Sequence, residues 1–381
     1  MSQANDLFAG KGDNFKSYVE LHDEYRALSL AEKKQAGQLL SMVDAMFGRY
    51  EDADLHYTVS FPSSDHLMCP SLPYAPTPAE SPIVPMAKAA RVLMINESHS
   101  KVATRAAIIR MLPALRKAGY THLALEAINP AGFGTMDKGV IGTSQALLAD
   151  DVKAGFYLRE PIYAKLVEDA LGLGFTLVPY ESEALDHEGR EVQQAANLQR
   201  WLDDHPHERL VVIAGYSHIW KSDGWMAQRL AASSHQSVLA IDQIDGIEGC
   251  KGAAKQDTPL LWVDPTKKAW SARPDRVDAT VAWRPVYRRG DAASWLSLGG
   301  RRKAVDLGRA CHGAVPCLIS AVVVGAEGSV PEDRLMLLGP GEQPVLYLTP
   351  GKYIVGVRTT DRQDHFDIVV DGNGLAAGSD L

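Results

Sequence analysis

The middle of the chain alternates between short apolar runs and longer amphipathic segments. Four of these runs are rich in valine, isoleucine and leucine, at residues 91–96, 121–125, 175–180 and 209–214. The segments between them have apolar residues at helical spacing. Short apolar runs connected in this way are typical of strands in a parallel sheet with both faces covered. The pattern predicts an α/β fold with a mainly parallel sheet flanked by helices.

The two flanks of this region have different patterns. Residues 15–50 have helical apolar spacing, and Ser29 precedes Glu32 as in a capping box. Residues 60–88 contain seven prolines, which predict an irregular connector. The last part of the chain has short apolar runs separated by Pro-Gly and Gly-Pro turns, which predict a small all-β domain like a sandwich. We therefore expect an N-terminal helical segment with a connector, an α/β domain and a β domain, at residues 1–88, 89–308 and 309–381.

Composition excludes some classes of function. The chain has 381 residues, 46% of them hydrophobic and 23% charged, as in a globular protein of about two domains. Its net charge of −8 gives no general attraction to nucleic acid, so no nucleic-acid partner is expected. No apolar run approaches the ~18 residues of a membrane span, and the first residues lack a signal peptide's features. We expect a cytoplasmic protein; export without a cleaved signal and the oligomeric state stay open.

The four cysteines show no spacing typical of a zinc site. Cys311 and Cys317 are close enough in sequence to pair across a loop. In a reducing compartment, free buried thiols are the more common state. We therefore expect free thiols.

Acidic residues and histidines follow the four apolar runs directly. Glu97 and His99 follow the first run, Glu126 the second, Glu181 the third and His218 the fourth. The carboxyl ends of parallel strands line one crevice, where ligands bind. A single histidine after a strand is usually a polar cap or a loop residue, but residues at four successive strand ends predict an active site. Glu97, His99, Glu126 and His218 should converge within roughly 10 Å.

Two chemistries fit this set. An imidazole is the usual general base near neutral pH, and a neighbouring carboxylate orients it, so Glu97 with His99 or Glu126 with His218 would form such a pair. Two histidines with carboxylates also suit Zn²⁺, Mn²⁺ or Fe²⁺. Sequence spacing does not separate the two.

Two further features would shape the crevice. Gly215 would let the backbone turn tightly and approach a ligand, and Ser217 or the amides after it would donate to an oxyanion. The insertion at residues 127–158 follows a strand end, where substrate contacts are common. Its candidate apolar contacts are Phe133, Met136, Phe156 and Tyr157.

Three stretches resemble motifs of the erythromycin esterase, ChaN and TraB/Tiki superfamily: VLMINESHS, THLALEA and REVQQAANLQRWLDDHPHERLVVIAGYSHIWK. Members have a Gly-Glu-x-His-like motif after the first strand and a Glu after the second. An Arg-containing helix follows the third strand, and a Gly-x-x-His motif follows the fourth. The resemblance covers about residues 88–243, and Asn96 stands where the family usually has Gly. It implies as site residues Glu97, His99, Glu126, Arg190, Asn197, Gly215 and His218.

The resemblance implies a site more strongly than a substrate. Erythromycin esterases hydrolyse a macrolide lactone with a His base, the Tiki branch is described as a metal-dependent protease, and ChaN binds haem. We expect an esterase-like hydrolase with a small-molecule substrate. In this hypothesis His99 activates water, Glu97 or Glu126 orients it, and His218 with Arg190 stabilises negative charge. The residues expected to contact the substrate are Asn96, Glu181, Asn197 and Ser217.

Two alternatives remain open. The first is a protein that binds haem or a divalent metal (Zn or Mn) without turnover, using the same imidazoles as ligands. The second is a secreted effector or toxin carrying a Tiki-like, metalloprotease-type domain.

Overall fold

The computed structural model describes residues 14–62, 70–128, 156–182, 184, 186–234, 236–245, 256–284, 287, 289, 294–326 and 328–378. Most of the insertion predicted at residues 127–158 therefore lies outside the described residues. Among the residues that are described, no helix combines the length and the apolar character needed to cross a membrane.

The N-terminal segment is helical, as predicted. It contains α1 (Asn14–Ala27), α2 (Leu30–Met46) and α3 (Tyr50–Ser60). Ser29 caps α2: its side chain accepts from the Glu32 amide, and the Glu32 carboxylate accepts from the Ser29 amide at 2.8 Å. The capping box predicted from the sequence is confirmed.

The proline-rich connector is more regular than expected. It contains a short strand, β1 (Ala75–Pro78), and a helix, α4 (Glu80–Lys88). Pro82 lies in the first turn of α4, where the backbone N–H groups have no acceptor within the helix, so proline is tolerated there. The prediction of an irregular connector is wrong for these residues.

The described residues form an eight-stranded sheet in the order β1-β7-β8-β6-β2-β5-β3-β4. Its parallel part is β2 (Val92–Glu97), β3 (His122–Leu125), β4 (Thr176–Pro179), β5 (Leu210–Gly215), β6 (Val238–Asp242) and β8 (Ala279–Arg284). β7 (Gln256–Val263) pairs antiparallel with β8 and with β1. The connecting helices are α5 (Ala103–Lys117), α6 (Pro161–Gly172), α7 (His187–Asp204) and α8 (Met226–Ser234). The predicted fold class is confirmed.

The central strands are mainly apolar because both faces of the sheet are covered. Alternate residues of β2 enter opposite cores: Leu93 and Ile95 pack on the face with α5 and α6, and Val92 and Met94 pack on the face with α7 and α8. All six residues of β2 and of β5 are buried. Adjacent residues of a strand point to opposite faces, so a strand buried on both sides reads as a continuous apolar run.

The C-terminal part is antiparallel. One sheet has the order β11-β10-β13-β14-β15 and a second pairs β9 with β12. Side chains from both sheets, such as Val305 and Ile319, share one core. β9 lies before residue 309 but pairs with a strand of the tail. The strands are β9 (Lys303–Asp306), β10 (Cys317–Val323), β11 (Asp333–Leu337), β12 (Val345–Leu348), β13 (Gly351–Thr359), β14 (Gln363–Asp371) and β15 (Gly374–Gly378).

Cys311 and Cys317 form a disulfide, with their Cα atoms 6.1 Å apart. The expectation of free thiols is wrong for this pair. The chain turns between the two residues and returns into β10, which brings the Cα atoms into the distance range that a disulfide spans.

Candidate active site

Three neighbouring strands end side by side at the carboxyl edge of the sheet. Glu97 is the last residue of β2 and lies in register with Gly215, the last residue of β5. Glu126 follows β3, the other neighbour of β5. His218 lies in the 3₁₀ turn Tyr216–Ile219 directly after β5. The strand order therefore places the predicted residues at one rim.

The first pair at this rim is Glu97 with His99. His99 Nδ1 lies 2.6 Å from Glu97 Oε1, and Arg105 Nε donates to Glu97 Oε2 at 2.8 Å. Burial disfavours the charged carboxylate, but Arg105 and His99 outweigh it and lower the pKa of Glu97 to about 2. An ionised carboxylate only accepts, so His99 donates from Nδ1, and in the neutral tautomer Nε2 is the acceptor.

Arg105 is itself held by a second buried carboxylate. Its guanidinium donates to Glu160 Oε2 at 3.1 Å. Glu160 is the N-cap of α6 and accepts from the amides of Ile162 and Tyr163, both at 2.8 Å. The start of α6 therefore fixes Arg105, which in turn fixes Glu97. The prediction from sequence did not include Arg105 or Glu160.

Glu126 is the centre of the second group. Its Oε1 accepts from Arg190 Nη2 at 2.6 Å and lies 3.7 Å from His218 Nε2, and its Oε2 accepts from the Gly215 amide. Burial raises the pKa of Glu126, but His218, His99 and Arg190, with the Gly215 amide, lower it below its usual range. Glu126 is therefore an ionised carboxylate between two cationic groups.

His218 has a second carboxylate partner, Glu191. His218 Nδ1 lies 2.6 Å from Glu191 Oε1, and the other oxygen of Glu191 accepts from the Met226 amide at 2.8 Å. Burial alone would lower the pKa of His218, but Glu126 and Glu191 outweigh burial and raise it. The imidazolium form of His218 is thus favoured. Sequence reasoning missed Glu191, which directly follows the predicted Arg190.

Gly215 is required for space. Its φ of −71° is ordinary, whereas the next residue, Tyr216, has a left-handed φ of 44°. A Cβ on Gly215 would lie 2.8 Å from His99 Cε1 and 3.2 Å from Glu126 Oε2. The predicted tight turn thus depends on Tyr216, and the absent side chain of Gly215 lets His99 and Glu126 approach each other.

Aromatic rings surround the two histidines. Tyr157 lies against His99 with ring centroids 4.2 Å apart, and Tyr216 meets the same imidazole edge-on at 5.0 Å. Trp225 meets His218 edge-on at 5.7 Å. Aromatic rings therefore pack against both imidazoles. Among the described residues of the predicted insertion, Tyr157 contacts the site. Phe133 and Met136 lie outside the described residues.

The four residues predicted to contact substrate have different surroundings. Asn96 is 1% exposed, donates to Asp242 Oδ1 at 2.6 Å and to the Tyr216 carbonyl at 2.9 Å, and so anchors the turn after β5. Asn197 donates to the carbonyl at the end of β4, from Tyr180, at 3.1 Å. Glu181 accepts from Arg190, and Ser217 is partly exposed. Asn96 and Asn197 are placed to position backbone, and substrate contact by any of the four stays a prediction.

The residues at the rim do not fit a metal ion well. Glu97 is shared between His99 and Arg105, and Glu126 between Arg190 and a backbone amide, so both carboxylates already have positively polarised partners. Across the described parts of the chain, no group of three or more His, Cys, Asp or Glu side chains is arranged to hold a metal ion. The two Nε2 atoms alone make a poor ligand set for Zn²⁺ or Mn²⁺.

No protein-family model matches the chain, and no curated protein matches it either. Among solved structures, the type III effector HopBA1 aligns with a TM-score of 0.34 and 18% identity, over 45% of this chain and 86% of that one. A structure described as bacterial protein toxins aligns with a TM-score of 0.32 and 16% identity, over 56% of this chain and 46% of that one. A second toxin structure aligns with a TM-score of 0.27 and 18% identity, over 41% of this chain and 34% of that one. The chain thus spans less than half of either toxin, and likenesses this low support no statement about function.

Proposed function

We propose that the protein is an esterase-like hydrolase that uses His99 as its general base. The observation that carries the proposal is the pair formed by Glu97 and His99 beside Gly215. An ionised carboxylate holds Nδ1, and the opposite edge of the ring faces the point where β5 ends and Glu126 approaches. Orientation of an imidazole by a buried carboxylate is the arrangement that general-base catalysis requires.

In the proposed reaction, His99 Nε2 takes a proton from water as the water oxygen bonds to the ester carbonyl carbon. The resulting imidazolium is stabilised by Glu97, which stays ionised because Arg105 and His99 hold its pKa at about 2. The carbon–oxygen bond to the leaving alcohol then breaks. His99 returns its proton to the leaving oxygen, which restores the neutral ring.

His218 and Arg190 are the proposed source of positive charge for the tetrahedral oxyanion. The carboxylates of Glu126 and Glu191 raise the pKa of His218 and favour its cationic form. Arg190 remains charged, and 34% of its side chain is exposed, so it is accessible from the crevice. Fixed positive charge at the position where negative charge develops is usually the largest contribution to such catalysis.

This proposal keeps the resemblance to the erythromycin esterase, ChaN and TraB/Tiki superfamily over residues 88–243 as a hypothesis. It is supported by the meeting of Glu97, His99, Glu126, Arg190 and His218 at one rim. The effector or toxin alternative stays a prediction without a structural argument. A cytoplasmic location also stays a prediction, and the Cys311–Cys317 disulfide favours an oxidising compartment instead.

A screen of carboxylic esters and lactones with the purified full chain tests the proposal. We expect His99→Ala and His218→Ala to lower kcat/KM by roughly 10²–10⁴-fold, because general acid–base assistance is of that size. His365→Ala, at an exposed position of β14, is the matched control and should retain full activity.

Chelation and absorbance separate the alternatives. Activity that survives chelation supports the metal-free mechanism, whereas loss on chelation with recovery on adding Mn²⁺ or Zn²⁺ would favour metal chemistry. Haem absorbance of the purified protein, with no turnover of any ester, would favour the haem-binding alternative. Full activity of His99→Ala on a verified substrate would refute the assignment of the base.

A further inference from the structure

A strand that supplies none of the proposed catalytic groups also ends beside the rim. β6 lies on the other side of β2 from β5, and its last residue, Asp242, is followed by Gln243. Asp242 is 2% exposed and Gln243 is 1% exposed. Charged and amide side chains are seldom this deeply buried unless a hydrogen-bond network holds them. The partners of these two residues therefore show what the end of β6 does.

Asp242 and Gln243 both bind Asn96, the residue before Glu97. Asn96 Nδ2 donates to Asp242 Oδ1 at 2.6 Å, and Asn96 Oδ1 accepts from the Gln243 amide at 2.8 Å. Gln243 Nε2 donates to the Asn96 carbonyl at 2.6 Å and to the Thr104 carbonyl at 3.0 Å. The side chain and the carbonyl of Asn96 thus both have partners from the end of β6. These contacts fix the end of β2, where Glu97 lies.

Asn96 also connects the end of β6 to the turn after β5. Its Nδ2 group donates to the Tyr216 carbonyl at 2.9 Å, so its two hydrogens reach Asp242 and Tyr216. Tyr216 has a left-handed φ of 44° and stands two residues before His218. Residues other than glycine seldom adopt this conformation, and it persists where the surrounding structure holds it. The bridge from Asp242 through Asn96 therefore holds the turn that carries His218.

Asp242 is a buried carboxylate whose described partners are all neutral. Besides Asn96, it accepts from the backbone amides of Ile244 at 3.3 Å and Asp245 at 3.2 Å, and it forms no ion pair among the described residues. Burial and the negative charge of Asp245 raise the pKa of Asp242 to about 7, although Asn96 and the two amides lower it. Asp245 itself is paired with Arg273. Carboxylates with strongly shifted pKa values concentrate at functional sites, which supports a role for Asp242 at the rim.

We propose that Asp242 and Gln243 are positioning residues of the candidate active site. Neither side chain touches substrate in this proposal. Through Asn96 they set the position of the segment with Glu97 relative to the turn that carries His218. The inference rests on the proposed hydrolase function for its effect on turnover. It adds a third strand to the machinery, because β2 and β5 lead into the two histidines and β6 fixes the geometry between them.

Two substitutions of similar side-chain size test this inference in the full chain. Gln243→Met removes the Nε2 donor, and Gln243 Oε1 has no hydrogen-bond partner among the described residues, so only the two donated bonds are lost. Asp242→Leu removes the acceptor of Asn96 Nδ2. We expect each to lower kcat on a verified ester by roughly 10–10²-fold, since misplacement by about 1 Å through a remote change costs that much. KM should stay near the parental value, because neither side chain touches substrate.

A rescue variant and a matched control separate positioning from a general loss of stability. Asp242→Asn keeps an oxygen that accepts from Asn96, so its kcat should lie close to the parental value. Thr280→Val is the control. Thr280 lies in register with Asp242 on β8, is fully buried and accepts from the Ala272 amide at 2.9 Å, outside the contacts of Asn96. It should lose stability in urea denaturation without losing kcat.

The imidazole signals of His99 and His218 in ¹H–¹³C spectra give a readout that needs no turnover. Asp242→Leu should shift the His218 signals, Gln243→Met should shift those of His99, and Thr280→Val should leave both in place. If these shifts occur but no ester is hydrolysed, the hydrolase proposal fails and positioning by β6 stands.

The inference is overturned if folded Asp242→Leu and Gln243→Met variants keep the parental imidazole signals and the parental kcat. It is also overturned if Thr280→Val changes them equally, or if Asp242→Asn is as impaired as Asp242→Leu. Should Asp242→Leu fail to fold, Gln243→Met decides the question by the same two measurements.

Discussion

The rim of the parallel sheet and the Asp44 cluster use the same residue types with different charge compensation. The Asp44 cluster lies in the N-terminal helices, where the buried Asp44 contacts Tyr18, His22 and His56, each at 2.6 Å. At the rim each central carboxylate has an arginine: Arg105 for Glu97 and Arg190 for Glu126. Asp44 has an ion pair only with histidines among the described residues, and Tyr18 supplies its remaining donor. Glu97 is compensated by Arg105 as well as by His99, so its charge does not depend on the imidazole alone. The charge of Asp44, by contrast, is compensated by the rings of His22 and His56.

The largest effect is expected where the arginine of the rim is removed. Arg105→Met leaves Glu97 and Glu160 buried without their cation, and breaking a buried ion pair costs about 3–5 kcal/mol of unfolding free energy. Arg110→Met, on the same helix but in a partly exposed pair with Glu80, should cost less than about 1 kcal/mol. Urea denaturation of both variants measures the difference. Equal costs would show that arginine compensation is not what distinguishes the rim.

Gly215→Ala should separate catalysis from stability. The added methyl group meets His99 and Glu126, so it displaces the base, and we expect kcat/KM to fall about 10²-fold on any verified ester. Gly172→Ala is the control, since no atom lies within 4 Å of the position that its methyl group would occupy and its φ is not positive. An active Gly215→Ala variant would mean that the close approach of His99 and Glu126 to this residue is dispensable.

Asp44→Asn tests the Asp44 cluster, the second of the two compared regions. The amide group of asparagine meets three donors in place of a full carboxylate, so at least one buried group loses its partner, at a cost of about 1–3 kcal/mol. Ester turnover should remain at the parental level, because the cluster contributes nothing to the proposed reaction. Thermal unfolding measures the stability cost, and kcat measured on the same sample checks that ester turnover is unchanged. A turnover defect in a folded variant would show that the two regions are coupled.

The smallest expected effect is the change in folding stability with pH that is due to His218. The pKa of His218 is raised in the folded protein by Glu126 and Glu191, so protonated His218 stabilises the fold fully below the unfolded pKa of about 6.5. This contribution is lost as pH rises through the folded pKa. The difference in unfolding temperature between the parent and His218→Gln should therefore shrink as pH increases above that range. A difference that grows with pH would contradict the assigned direction.

The sheet and the rim were predictable because their signals are local. Buried strands read as continuous apolar runs, and the residue after each run marks the strand end, so Glu97, Glu126 and His218 were placed at one edge without coordinates. The same reasoning failed for the connector around α4, where Pro82 falls in the first turn and Pro85 lies inside the helix. It also missed the disulfide, which depends on how the chain folds back after residue 311.

The sequence by itself determined which residues form the parallel strands that end at the rim, which helices connect these strands and which polar groups follow them. Each of these features depends on neighbours along the chain. The tertiary structure alone decided how the charges are compensated. Arg105 reaches a carboxylate 55 residues away, and Glu191 turns to His218 while the adjacent Arg190 turns to Glu126. Asp44 receives its partners from two other helices. Electrostatic partners are chosen by distance in space, and burial makes an unpaired charge costly, so these pairings are set only when the helices pack.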